Sequence, residues 1–171
     1  MRLTHVTRGL RRLVHYSVAS RQTAAPPLHI VKESGILQPF TVAVVGAPVN
    51  LGQPRDGTEL APAAIRAAGL DAAVTNCGWR LHERGDVAVP KPSESDPQPE
   101  RSARNAYALG RFSAALAAQT CDAAKDGHFV LTLGGDHSMS LGSIAGVLKA
   151  RPSLGVLWVD AHADINGEAP T

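Results

Sequence analysis

Two short apolar runs, Phe129–Leu133 (F-V-L-T-L) and Leu154–Trp158 (L-G-V-L-W), stand on either side of a segment with helical periodicity. Both runs have the length of buried strands, and Gly127 and Gly134–Gly135 punctuate the first. Between them, Met139, Leu141, Ile144, Val147 and Leu148 recur at helical spacing across Ser138–Ala150. Ser138 or Ser140 is expected to cap that helix, and Pro152 to mark its end. Strand, helix, strand at this spacing is a βαβ unit, which requires parallel strands. An open parallel sheet binds its ligands beyond the carboxyl ends of its strands.

Both runs are followed by residues of types that can ligate metals. Asp136–His137 follows the first, and Asp160-Ala161-His162-Ala163-Asp164 follows the second. In extended backbone alternate side chains share a face, so Asp160, His162 and Asp164 are expected to point together, away from the two alanines. Carboxylates mixed with imidazoles, with no thiolate, suit Mn²⁺, Fe²⁺ or Zn²⁺ better than Ca²⁺ or a soft metal. A carboxylate can bridge two ions, so an Asp-rich set invites a two-metal centre. Taken singly, a strand-end Asp or His is an ordinary turn or cap former, and Asp136 in particular reads as a turn residue. Four ligand candidates at one edge, His137, Asp160, His162 and Asp164, point to a metal site instead.

At these residues the chain resembles the arginase family of manganese ureohydrolases. G-G-D-H-S at Gly134–Ser138 and D-A-H-A-D at Asp160–Asp164 resemble two of that family's metal signatures. V-A-V-V-G-A-P at Val42–Pro48 resembles its opening strand, and G-Q-P-R-D-G-T-E-L-A-P-A-A-I-R at Gly52–Arg66 the loop and helix that follow. The resemblance runs from about Thr41 onward. It implies a three-layer αβα fold with a mainly parallel sheet, incomplete at its C-terminus. It also implies two Mn²⁺ ions, with Asp160 bridging both, His137 and Asp164 on one, and His162 on the other. The implied reaction is hydrolysis of L-arginine to L-ornithine and urea by a water activated between the ions. Asn166 resembles the position that recognises the substrate's α-carboxylate, which favours arginase over agmatinase; Gly167 departs from the Thr common at the next position. A homotrimer is implied as well.

The family supplies further ligands through a D-x-D pair, together with a proton-transfer His and a guanidinium-binding Glu. No D-x-D occurs in these 171 residues. The expectation is therefore a fragment, a truncated gene model or a short isoform, inactive alone. Residues 33–171 would be the amino-terminal part of the catalytic domain. Agmatinase or another ureohydrolase is the alternative enzyme, and a catalytically silent interaction module is the alternative from another class.

The formal charge of +2 hides an asymmetry. Residues 1–32 carry six of the 17 basic residues and none of the 15 acidic ones, so the remainder is net acidic and gives no reason to invoke nucleic acid. The basic segment is dotted with Ser and Thr, and Leu3, Val6, Leu10, Leu13, Val14 and Val18 recur near helical spacing. This is the pattern of a mitochondrial transit peptide, with Ala24–Pro27 as a linker; the alternative is a basic tail on a cytoplasmic protein. The apolar stretches are too short for a membrane span.

Elsewhere Thr41–Ala47 reads as a strand, Pro62–Leu70 as a short helix and Trp79–Val87 as a strand near the sheet edge. Val89–Glu100, with four prolines, reads as an exposed loop, and Arg101–Asp126 as a long Ala-rich helix stopped by Gly127. Cys77 and Cys121 are isolated and read as reduced, packed thiols. Gly52–Gly57 lacks the pattern of a phosphate loop, and Arg55, His82 and His128 read as surface residues outside any site.

Overall fold

The computed structural model describes residues 41–97, 104–162 and 164. Strand β1 (Thr41–Ala47) is flanked by β2 (Arg80–Asp86) and β3 (Phe129–Gly134), and both pairings are parallel. The Val-rich run of β1 suits this central place, because a strand covered on both faces carries no polar alternation. Its even and odd residues enter different cores. Val42 and Val44 pack with Leu133, Leu70 and Val74 on one face, while Val45 and Ala47 pack with Phe112 and Leu116 on the other.

Helices α1 (Ala61–Ala67) and α2 (Leu70–Asn76) carry the chain from β1 to β2, and α3 (Ala106–Lys125) carries it from β2 to β3. The residues of α2 and of α3 in the two cores thus cover opposite faces, giving the expected αβα layering. Phe112 and Leu116, one turn apart and fully buried, contribute roughly 1.5–3 kcal/mol each through burial. Helix α4 (Met139–Ala150) lies against α3 at very close range. A Cβ on Gly146 would stand 2.3 Å from the Ala117 carbonyl oxygen and 2.0 Å from Thr120 Oγ1.

Four sequence expectations change in detail. The helix expected over Pro62–Leu70 is broken at Gly69, whose φ of 100° cannot continue it, and a second helix follows. The long helix starts at Ala106, after Asn105 in a left-handed conformation. Neither serine caps α4 through its side chain; the Ser138 hydroxyl turns back to the Asp136 carboxylate at 2.5 Å. The largest change is at Leu154–Trp158, which joins no strand ladder among the described residues. It pairs with neither edge of the sheet, so solvent and local bonds rather than a ladder satisfy its backbone, and Leu157 and Val159 are 88% and 87% exposed.

Other expectations stand. β1 has the expected bounds, β2 lies at the edge of the described sheet, and both cysteines are free thiols, although only Cys121 is packed and Cys77 is exposed. No described helix is long and apolar enough to cross a membrane. The basic segment 1–32, Asn166 and Gly167 lie outside the described residues.

Candidate metal centre

In register, Ala47 of β1 lies beside Gly134 of β3, so both strands end at the same edge of the sheet. The connections leaving β1 and entering β3 pass on opposite faces, which opens a crevice between the two strand ends. The loop after β1 and the turn after β3 meet there. The Gly135 and Asp136 amides donate to the Ala47 and Val49 carbonyls at 3.0 and 2.6 Å. Only glycine fits at 135, because a Cβ would lie 2.1 Å from the Val49 oxygen.

This turn delivers His137 to the edge. The segment after α4 returns to the same place, and its acids converge on the imidazole. His137 Nδ1 is 3.5 Å from an Asp160 carboxylate oxygen, and His137 Nε2 is 3.4 Å from one of Asp164. One ligand atom from each of the three residues lies within 4.8 Å of the others. The Asp160 carboxyl is held below its usual range, first by the His162 amide, then by the Ala161 amide and the nearby imidazoles, against some desolvation. Carboxylates, Asp160's held in its ionised form, and an imidazole form a donor set that fits a divalent cation.

The expected alternation along Asp160–Asp164 is not what brings these groups together. The His162 amide donates to Asp160 Oδ1 at 3.1 Å and bends the chain, and Asp164 adopts a φ of 52°. Without a ladder to hold the segment extended, this local bond sets its course. Asp160 and Asp164 therefore face His137, whereas the His162 ring is 82% exposed, its Nδ1 3.8 Å from Asp160. Of the four ligand candidates, three form the described cluster and His162 stands beside it.

Two neighbours of the site went unrecognised in the sequence. The Trp158 indole packs against the His137 ring, with centroids 5.0 Å apart. Beside them a cleft of about 310 Å³ is lined by Leu109, Ser113, Ser140 and Leu141 as well as by His137 and Asp164. The other neighbour is Asp136, 5% exposed, expected only as a turn residue: its carboxylate does accept the Ser138 amide, and it also accepts that of Gly52 in the loop after β1. A buried acid directly before a ligand, on a Gly-Gly turn, was the available signal.

Histidine and acidic groups converging on the carboxyl edge of a parallel αβα sheet define an α/β protein with a candidate metal centre. A profile described as the Arginase family matches residues 40–171, and the chain belongs to that family. It is 41% identical over 130 residues to "Arginase-1" of Rattus norvegicus, covering 75% of this chain and 39% of that one. It is 43% identical over 126 residues to "Arginase-2, mitochondrial" of Homo sapiens, covering 74% and 35%. The solved structure of arginase from Bacillus caldovelox superposes with a TM-score of 0.67 at 36% identity, covering 74% of this chain and 42% of that one. The chain thus spans about two fifths of the length of the curated relatives it matches.

Proposed function

We propose that residues 33–171 are the amino-terminal part of an arginase-like catalytic domain, which hydrolyses L-arginine to L-ornithine and urea. The observation that carries this reading is the convergence of His137, Asp160 and Asp164 from two strand-end motifs. Two Mn²⁺ ions are the proposed metal complement, with Asp160 shared, His137 and Asp164 on one ion and His162 on the other. When bound, such ions supply Lewis acidity and activate water for attack on a guanidinium carbon. The protein's own part is to hold the ligands in place and Asp160 ionised. The amides of His162 and Ala161 keep Asp160 a carboxylate, and the Trp158 ring shields one side of His137 from water. Asn166 is assigned to the substrate's α-carboxylate, and a homotrimer is the proposed assembly. Four protein ligands are fewer than two ions need, so residues beyond these 171 would complete the shells.

The test is urea release from L-arginine and from agmatine by the complete protein, with and without Mn²⁺. Release from agmatine alone would make it an agmatinase. Residues 1–32 are proposed as a mitochondrial leader; among the relatives are both "Arginase-1" and "Arginase-2, mitochondrial". A fluorescent reporter fused to residues 1–32 should reach mitochondria, and Arg8→Glu, Arg11→Glu and Arg12→Glu together should stop it. A diffuse signal from the unmutated fusion leaves a cytoplasmic protein with a basic tail.

A second reading is favoured by the exposure of Leu154, Val156, Leu157 and Val159. Apolar surface of this kind marks association, so the 171-residue chain by itself would be a catalytically silent module that pairs with other subunits. Size-exclusion chromatography separates the two. A monomer with Mn²⁺-dependent arginine hydrolysis would defeat the silent-module reading.

A further inference from the structure

Asp136 sits one residue before a proposed ligand, yet every bond it makes leads elsewhere. Its Oδ2 accepts the Gly52 amide at 2.8 Å, across 84 residues of sequence. Its Oδ1 accepts the Ser138 amide at 2.9 Å and the Ser138 hydroxyl at 2.5 Å. The carboxylate is thus buried with three donors and spans His137 on both sides: one arm holds the loop after β1, the other the first residue past His137. The same loop is fixed further along, where Asn105 Nδ2 donates to the Leu51 carbonyl at 2.8 Å. The Asp136 amide closes the clamp on Val49. A neutral turn former would satisfy the Ser138 amide alone. A charged, buried acceptor that also reaches Gly52 makes the loop and the His137 turn one body.

We infer that Asp136 is a positioning residue that couples the loop Val49–Leu51–Gly52 to His137, so that cation binding at His137 and closure of the loop strengthen each other. The inference rests on the reading of His137 as a metal ligand. Residues that orient a ligand from behind typically change metal affinity 10–100-fold when removed. Coupling is reciprocal, so the cation must also protect the loop. A residue needed only for folding would not produce that second effect.

The experiment is amide hydrogen exchange on the full chain with and without Mn²⁺, alongside Mn²⁺ titration followed by electron paramagnetic resonance. In the wild-type chain Mn²⁺ should slow exchange at Gly52 several-fold. Asp136→Asn keeps an oxygen for the Ser138 amide but turns an N–H toward that of Gly52. Exchange at Gly52 should then rise while Ser138 stays protected, the Mn²⁺ dissociation constant should rise ~10–100-fold, and Mn²⁺ should no longer slow Gly52. Affinity within twofold of wild type, with Gly52 released, would overturn the coupling and leave the metal site standing. His137→Ala tests the site itself: undiminished Mn²⁺ binding there overturns the ligand reading, whatever Asp136 does. Should Asp136→Asn not fold, Gly52→Ala presses on the same contact from the loop. Its Cβ would lie 2.9 Å from Ser138 Cβ and 3.2 Å from Asp136 Oδ1. Weaker Mn²⁺ binding in that variant supports the coupling, and unchanged binding refutes it.

Discussion

Trp158 lies over His137, the ring centroids 5.0 Å apart and the planes inclined by 37°. The chain has two tryptophans, and the other, Trp79, is packed edge-on against Phe129 at 5.5 Å. Trp158 therefore serves as an optical probe of the site. Paramagnetic Mn²⁺ held by His137 should quench its fluorescence, saturably and reversibly with chelator. Trp158→Phe should abolish the response and Trp79→Phe should preserve it. A response that follows Trp79 would place the cation elsewhere.

Arg66 ties α1 to the end of β2. Its guanidinium donates to both Glu83 carboxylate oxygens at 2.8 and 2.9 Å and to Asp86 Oδ1 at 2.7 Å. The bond from Arg66 is the main cause that holds the Glu83 carboxyl below its ordinary value of 4.5, with the Gly85 amide assisting and burial opposing. A depressed folded value means the stabilisation is complete above the unfolded value and fades as pH falls through the folded one. The loss therefore belongs below about pH 4.5. With Glu83 41% exposed, solvent screening limits the contribution to on the order of 1 kcal/mol. Arg66→Ala should lower Tm by a few degrees at neutral pH and flatten the decline of Tm between pH 5 and 3. An equal drop at every pH would show that Arg66 acts by packing alone.

Helices α3 and α4 approach at Gly142 and Gly146. The added Cβ of Gly146→Ala would collide with backbone at Ala117, which cannot rotate away, as well as with Thr120. The helices must part, at a cost of roughly 1–3 kcal/mol. Urea denaturation should show the midpoint falling at unchanged slope. Gly110→Ala, where nothing lies within 4 Å of the new Cβ, is the matched control on α3. It should be neutral or stabilising through helix propensity.

The sequence made the sheet and the candidate ligands legible for different reasons. Thr41–Ala47 and Phe129–Leu133 are apolar runs bounded by Gly and Pro, and burial on both faces leaves the central one, Thr41–Ala47, few alternatives. The ligand motifs were legible because His137 and Asp160 each follow such a run. Leu154–Trp158 carries the same local signal and still makes no strand, because a ladder needs a neighbour and composition cannot supply one. That one difference changes the geometry downstream, where an Asx-type bond replaces alternation and His162 swings outward. The role of Asp136 was hidden because its partner, Gly52, lies 84 residues away and reveals nothing in sequence.

The contrast between Asp160 and His162 yields the most direct test of the site. Asp160 contacts His137 at 3.5 Å and accepts the His162 amide, whereas the His162 ring stands in solvent, 3.8 Å from Asp160. Asp160→Asn removes a charge from the cluster's centre and weakens an acceptor, so Mn²⁺ affinity should fall roughly 100-fold or more. His162→Ala retains the amide that orients Asp160 and removes one ligand from one proposed ion. Its affinity loss should be smaller, and excess Mn²⁺ should restore occupancy. Calorimetric titration of the two variants, with His137→Ala as reference, measures this order. If His162→Ala is the more damaging, the proposed order of the two ligands is overturned. If neither matters, the cluster of His137, Asp160 and Asp164 is not the metal centre.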